Sequence, residues 1–135
     1  IKVDVVSKPW NGGYLDDASA GNYDAWLLGW TGDYNAADNF LGTFFSNYEQ
    51  NDFQTSAYPW GKKLSEDLKA ADAIVDEAAR KAAYEQLNKQ IAQEYIPGLP
   101  ISHSPPALVV SSKVQGLVAS PLTAEMFDQV TVSSK

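Results

Sequence analysis

Apolar residues alternate along several stretches of the chain in patterns that predict β-strands. β-branched residues alternate with polar ones over Ile1–Val6, as expected for a half-buried strand. Tyr23–Trp30 is a nearly continuous apolar run between turn residues, which is typical of a buried strand. Toward the C-terminus, shorter strands are predicted over Leu99–His103, Ala107–Ser111 and Met126–Val132.

Helical periodicity fills the stretches between these strands. Tyr14–Ala20 is predicted as a short helix, and Asn35–Ser46 as a longer one because its apolar residues recur at helical spacing. A further helix has Leu64, Leu68 and Ala71 on one face. Asp76 is placed to cap the last helix, whose predicted apolar stripe comprises Ala79, Ala83, Leu87 and Ile91. The mixed order of strands and helices predicts an α/β or α+β fold.

Composition and charge narrow the classes of protein that fit. A chain of 135 residues has room for one domain, or for part of a larger one. Its net charge of −7 disfavours nucleic acid and anionic membrane surfaces as partners. With no cysteine, the chain has no disulfide, thiolate metal site or cysteine nucleophile. It starts at Ile1 within a strand pattern, which leads us to expect a fragment of a longer protein.

Motifs for catalysis and metal binding are incomplete. His103 is the only histidine, and no G-x-S-x-G elbow precedes a serine, so a hydrolytic triad is disfavoured. Asp33 and Asn35 begin like a calcium loop, but Ala37 and Asp38 occupy the positions of the next ligand and the required glycine. We therefore predict no catalytic residue, no metal and no cofactor.

Carboxylates near tryptophans leave a glycosidase as an alternative enzyme. Asp24, Asp33 and Asp38 lie close in sequence to Trp26 and Trp30, and paired carboxylates beside aromatic rings suit glycoside cleavage. Aspartates of this kind are also common as turn and cap residues. Only their separation in space distinguishes the two interpretations.

The segment Gly29–Tyr34 has the most informative chemistry in the chain. Its glycines permit close approach of another backbone, so main-chain groups there could pair with an extended ligand. Trp30 offers a rigid flat surface, and the Asp33 carboxylate could pair with a ligand ammonium. A tight turn around a core tryptophan would use the same residues for structure alone.

These residues resemble the family 5 extracellular solute-binding proteins of ABC importers, and most closely the dipeptide-binding branch. The resemblance rests first on Asp24–Tyr34 and on the Asp-Asn-Phe-Leu run that begins at Asp38. It continues through Asp76, Arg80 and Tyr84, then through Leu99–Ser104, and covers nearly the whole chain in order. Many relatives have Asp-Pro before the Asp-Asn-Phe run, where this chain has Ala36-Ala37.

The resemblance implies a fold and a set of ligand contacts. Family members are two-lobed periplasmic-binding-protein (type II) folds, so residues 1–135 would be one partial α/β domain with a mixed sheet. That partial domain would be the latter part of the C-terminal lobe plus the tail that returns to the N-terminal lobe. Asp33 falls on the family's aspartate for a peptide ammonium, and Trp30, Thr31 and Gly32 fall beside the ligand main chain. Trp10 falls, with a one-residue difference in spacing, near a pocket tryptophan.

Function and partners are implied by the same resemblance. The chain would capture di- or oligopeptides outside the cytoplasm, in a periplasm or lipid-anchored at the cell surface, and deliver them to an ABC permease. The cation that would bind the peptide's terminal carboxylate, and the opposing N-terminal lobe, would lie outside this chain. We therefore expect weak or undetectable peptide binding by the chain alone, and self-association through its exposed face. The alternative is an oligosaccharide-binding component that stacks sugars on tryptophans.

Overall fold

The computed structural model describes residues 1–133, and its core is built from helices. The helices are α1 (Leu15–Ser19), α2 (Asp38–Phe45), α3 (Gly61–Asp72) and α4 (Glu77–Gln90). Shorter helical turns are Trp10–Tyr14, Thr55–Ala57 and Ile91–Tyr95. The strands are β1 (Val114–Gln115) and β2 (Thr131–Val132), which pair antiparallel.

The hydrophobic core lies where α3 packs against both α2 and α4. The buried core residues are Phe45, Leu64, Leu68, Ala71, Tyr84, Leu87 and Ile91. The face of α3 predicted from periodicity is therefore confirmed, because all three of its apolar residues are buried. Each fully buried aliphatic side chain contributes about 1.5–3 kcal/mol, so this three-helix contact provides most of the stabilising burial.

Helix α4 begins where the sequence predicts, with one correction to its buried face. The Asp76 carboxylate accepts a hydrogen bond from the Ala79 amide at 2.8 Å, which confirms the cap. Ala79 itself is exposed, and the buried stripe runs through Tyr84, Leu87 and Ile91. Tyr84 lies three residues before Leu87 and so on the same face, where its ring buries more apolar surface than an alanine.

The strand predictions are mostly wrong. Ile1–Val6 and Tyr23–Trp30 have no regular secondary structure and are largely exposed. Leu99–His103 and Ala107–Ser111 are likewise irregular, and only Thr131–Val132 of the last predicted strand forms. A strand needs a neighbour for its main-chain hydrogen bonds, and within residues 1–133 these segments have none.

Within residues 1–133 the fold is therefore a small mixed structure of helices with one short antiparallel ladder, which agrees with the predicted class at a coarse level. The mixed sheet and the assignment to one lobe of a two-lobed protein stay predictions. Across the described residues, no helix combines the length and apolar character that crossing a bilayer requires.

Candidate functional site

The segment from Trp30 to Asp33 is held on one side by the first turn of α2. Asn39 lies in that turn and is only 4% exposed. Its side-chain oxygen accepts a hydrogen bond from the Trp30 indole Nε1 at 3.1 Å and another from the Asp33 amide at 2.8 Å. One buried amide oxygen thus fixes both the indole ring and the backbone that carries the Asp33 carboxylate.

The C-terminal tail holds the same segment from another direction. The Thr123 amide donates to the Gly32 carbonyl at 3.0 Å. The Thr123 hydroxyl donates to Asp33 Oδ1 at 3.1 Å, across a separation of 90 residues in sequence. Asp33 is exposed, and within residues 1–133 its second oxygen, Oδ2, has no hydrogen-bond donor. The carboxylate is therefore oriented while one oxygen faces solvent.

The two glycines of this segment have different surroundings. Gly32 is buried, and a Cβ there would lie 2.8 Å from Cζ of Phe40, so a larger residue would displace that partly exposed ring. A Cβ on Gly29 would meet nothing within 4 Å.

Thr31 is exposed, and no hydrogen bond in the described structure uses the main-chain groups of residues 28–31. These groups are available to pair with an extended ligand.

Trp30 is anchored by an aromatic cluster and still presents part of its ring. Its edge packs on Phe44 with ring centroids 5.7 Å apart, and Phe44 packs on Phe53, also at 5.7 Å. Phe53 in turn contacts Trp26 at 5.6 Å. Trp30 remains 43% exposed, so its ring has one fixed orientation and a free surface.

Trp10 lies apart from Trp30 and Asp33. Its ring stacks on Tyr14 at 5.9 Å and is 51% exposed. The Tyr14 hydroxyl donates to the Leu27 carbonyl at 2.6 Å and accepts from the Leu27 amide at 3.0 Å. Trp10 thus packs on a tyrosine that is hydrogen-bonded to Leu27, three residues before Trp30. Within the described residues, no ring contact or hydrogen bond joins Trp10 to Trp30 or Asp33.

The three aspartates considered for glycoside cleavage have different environments. Asp38 lies in the first turn of α2, where a carboxylate is favourable, and it accepts a hydrogen bond from the Tyr34 hydroxyl. That bond raises the pKa of Tyr34, while a hydrogen bond with Asn39 opposes the rise. Asp24 is exposed. Asp38 therefore fits the turn-and-cap interpretation. Of the three aspartates, Asp33 alone has its carboxylate oriented by the C-terminal tail, through Thr123.

An ion pair supports the loop that leads to the site. Asp17 accepts hydrogen bonds from Lys8, from Asn22 at 3.0 Å and from Tyr23 at 3.2 Å. The bond from Lys8 is the main reason that the pKa of Asp17 is lowered and that of Lys8 raised. This network ties the N-terminal stretch to the start of the segment that leads to Trp30.

Comparison with known proteins gives relatives over nearly the whole chain. It is 36% identical to a dipeptide-binding protein of Pseudomonas aeruginosa over 128 residues, which are 94% of this chain and 23% of the relative. It is 34% identical to a dipeptide-binding protein of Escherichia coli over 134 residues, 98% of this chain and 24% of the relative. A periplasmic oligopeptide-binding protein of Haemophilus influenzae is 30% identical over 95 residues, 70% of this chain and 17% of the relative.

The chain belongs to the family of dipeptide- and oligopeptide-binding proteins. It spans about a quarter or less of the length of these relatives. The resemblance to family 5 solute-binding proteins is thus confirmed, and these relatives are binding proteins by name. No family model matches the chain, and no solved structure matches it.

Two residues of this site could not be predicted from the sequence. Asn39 lies inside the Asp-Asn-Phe run that carried the resemblance, so its position near the site was signalled but its double hydrogen bond was not. Thr123 had no local signal, because it lies in an irregular tail far along the chain. Trp30, Thr31, Gly32 and Asp33 are consecutive and share one segment, whereas Trp10 lies to one side, and the ligand-binding role of all five stays a prediction.

Proposed function

We propose that this chain is part of the substrate-binding component of an ABC importer that captures di- and oligopeptides for delivery to a membrane permease. In this proposal the chain is the latter part of the C-terminal lobe and its tail. The protein would work outside the cytoplasm, in a periplasm or lipid-anchored at the surface. The relatives' names support peptide binding, and one of them is called periplasmic.

The single observation that carries this proposal is the oriented carboxylate of Asp33. Thr123 occupies one carboxylate oxygen, and the other is open to solvent. A ligand α-ammonium has three N–H donors and no acceptor, so it suits such a carboxylate. A charge-assisted hydrogen bond of this kind contributes about 1.5–3 kcal/mol.

Main-chain groups beside Asp33 extend the proposed contact. The unpaired backbone of residues 28–31 offers strand-type hydrogen bonds to a peptide backbone. Trp30 would lie against a ligand side chain, and Trp10 would line a more distant part of the site. Backbone and ammonium are common to all peptides, so this set of contacts recognises peptides with varied side chains.

An oligosaccharide ligand is the competing proposal, and the exposed surfaces of Trp10 and Trp30 favour it. Aromatic rings of this kind offer flat apolar faces for sugars. The two ligands would interact with Asp33 differently, because a sugar offers it neutral hydroxyls and a peptide offers it a cationic ammonium. Neutralising that carboxylate therefore separates them.

The test is Asp33→Asn in the full-length protein that contains this sequence, with trialanine binding measured by calorimetry. Loss of one charge-assisted contact predicts at least about tenfold weaker binding. Asp24→Asn is a matched control, since it removes an exposed carboxylate that lies outside the Gly29–Asp33 segment. Unchanged trialanine affinity in Asp33→Asn would contradict the ammonium contact. We expect residues 1–135 alone to bind the peptide weakly or undetectably, because the opposing lobe is absent.

A further inference from the structure

Thr123 contacts the site segment through both its backbone and its side chain. Its amide donates to the Gly32 carbonyl at 3.0 Å and its hydroxyl to Asp33 Oδ1 at 3.1 Å. Two bonds to consecutive residues fix the position of the tail along the segment as well as its distance from it. A contact that served only to cover the surface would not need the hydroxyl to reach the carboxylate.

The loop around Thr123 is closed by its own side chains. We call residues 120–125 the clasp loop. The Ser120 amide donates to the Glu125 carboxylate at 2.8 Å, and the Leu122 amide donates to the Ser120 hydroxyl at 3.1 Å. Pro121 restricts the backbone between them. Thr123 is therefore presented from a loop that is already shaped, not from a free tail.

We propose that Thr123 is a positioning residue for the Asp33 carboxylate, and that the clasp loop makes affinity for a free amino terminus depend on the C-terminal tail. This inference rests on the proposed function. The last side-chain torsion of an aspartate is broad, so a free carboxylate samples many orientations. The Thr123 hydroxyl holds Oδ1 and so leaves Oδ2 directed at the ligand before it arrives.

Asn39 completes the arrangement from the other side. Its buried oxygen accepts from the Asp33 amide at 2.8 Å, which fixes the backbone of the residue whose carboxylate Thr123 orients. Asn39 thus determines where Asp33 lies, and Thr123 determines how its carboxylate is turned. Substituting Thr123 alters the second property while the first is preserved.

The experiment compares trialanine with N-acetyl-trialanine on the full-length protein by calorimetry. Thr123→Val keeps the shape of the side chain and the backbone bond but removes the hydroxyl. Ordering a side chain on binding has a cost equivalent to about a two- to tenfold change in affinity. We expect Thr123→Val to weaken trialanine binding by that factor and to leave N-acetyl-trialanine unchanged, since that ligand has no ammonium.

Two further variants make the result decisive. Thr123→Ser keeps the hydroxyl and should restore the preference for the free amino terminus. In an Asp33→Asn background, Thr123→Val should have no further effect on that preference, because the carboxylate that it positions is gone. Both outcomes are specific to positioning and would not follow from a general loss of stability.

The contrary results are distinguishable. If Thr123→Val weakens both ligands equally, or neither, while Asp33→Asn abolishes the preference for trialanine, the positioning role is overturned and the proposed function survives. If Asp33→Asn leaves the preference unchanged, the Asp33–ammonium contact of the proposed function is overturned, and the positioning role with it.

Discussion

Gly61, the first residue of α3, is a position where one added methyl group should strongly disturb the packing of the helical core. A Cβ there would lie 1.9 Å from the Thr55 carbonyl oxygen, whereas ordinary contacts begin at 3.4 Å. Thr55 is fully buried, and its amide donates to the Asn51 side chain at 3.3 Å. Its carbonyl also accepts from the Tyr58 amide at 3.1 Å. Neither side of the contact is free to move.

The expected cost follows from the shift that the methyl group demands. Thr55 or α3 would have to move by about 1.5 Å, which would break the bond to Tyr58. Overpacking of this kind costs about 1–3 kcal/mol, and alanine recovers at most about 1 kcal/mol through its helix propensity. We therefore expect Gly61→Ala to reduce the free energy of unfolding by about 2 kcal/mol.

Urea unfolding followed by circular dichroism measures this difference. Gly42→Ala is the matched control, because Gly42 is also helical and its Cβ would meet only the Ser46 hydroxyl, at 3.2 Å, and the Asp38 Cβ, at 3.5 Å. The control should be stabilised by about 0.5–1 kcal/mol. A Gly61→Ala protein as stable as the parent would refute the close contact between α3 and Thr55.

Two other predictions concern α4. Asp76→Ala should reduce the free energy of unfolding by about 1 kcal/mol, while Asp76→Asn keeps the capping oxygen and should change little; equal losses in urea unfolding would contradict the cap. Burial and the hydrogen bond to Asp72 raise the pKa of Tyr84, so the folded state keeps this proton at pH values where the unfolded chain loses it. Stability from this group is complete below about pH 10 and is lost as pH rises further, so Tyr84→Phe should flatten the alkaline decline of a stability–pH profile; an unchanged slope would contradict this.

The helices were predictable because their signals are local. Leu64 and Leu68 lie on one face through spacing alone, and Asp76 caps α4 through an oxygen only three residues from its donor. The strands were not predictable in the same way, because an apolar run indicates burial but does not identify the neighbouring strand with which it would pair. In Tyr23–Trp30 the two tryptophans instead join an aromatic cluster with Phe44 and Phe53.

In the candidate site, too, local features were predictable from the sequence and long-range contacts were not. Trp30, Gly32 and Asp33 form a contiguous motif, so a resemblance to known proteins could identify them from the sequence. Thr123 meets that motif only through the path of the tail, and no pattern of spacing or composition marks it. Contacts between distant segments depend on the fold, which is why the hydrogen bond between Thr123 and Asp33 became visible only in the structure.

The most direct test of the central claim is native mass spectrometry on the full-length protein, purified gently enough to retain any bound ligand. Peptide capture predicts added masses that are built from amino-acid residues, and these should disappear in Asp33→Asn. A series of added masses spaced by hexose or pentose units, unaffected by Asp33→Asn, would contradict the account and transfer recognition to the tryptophans.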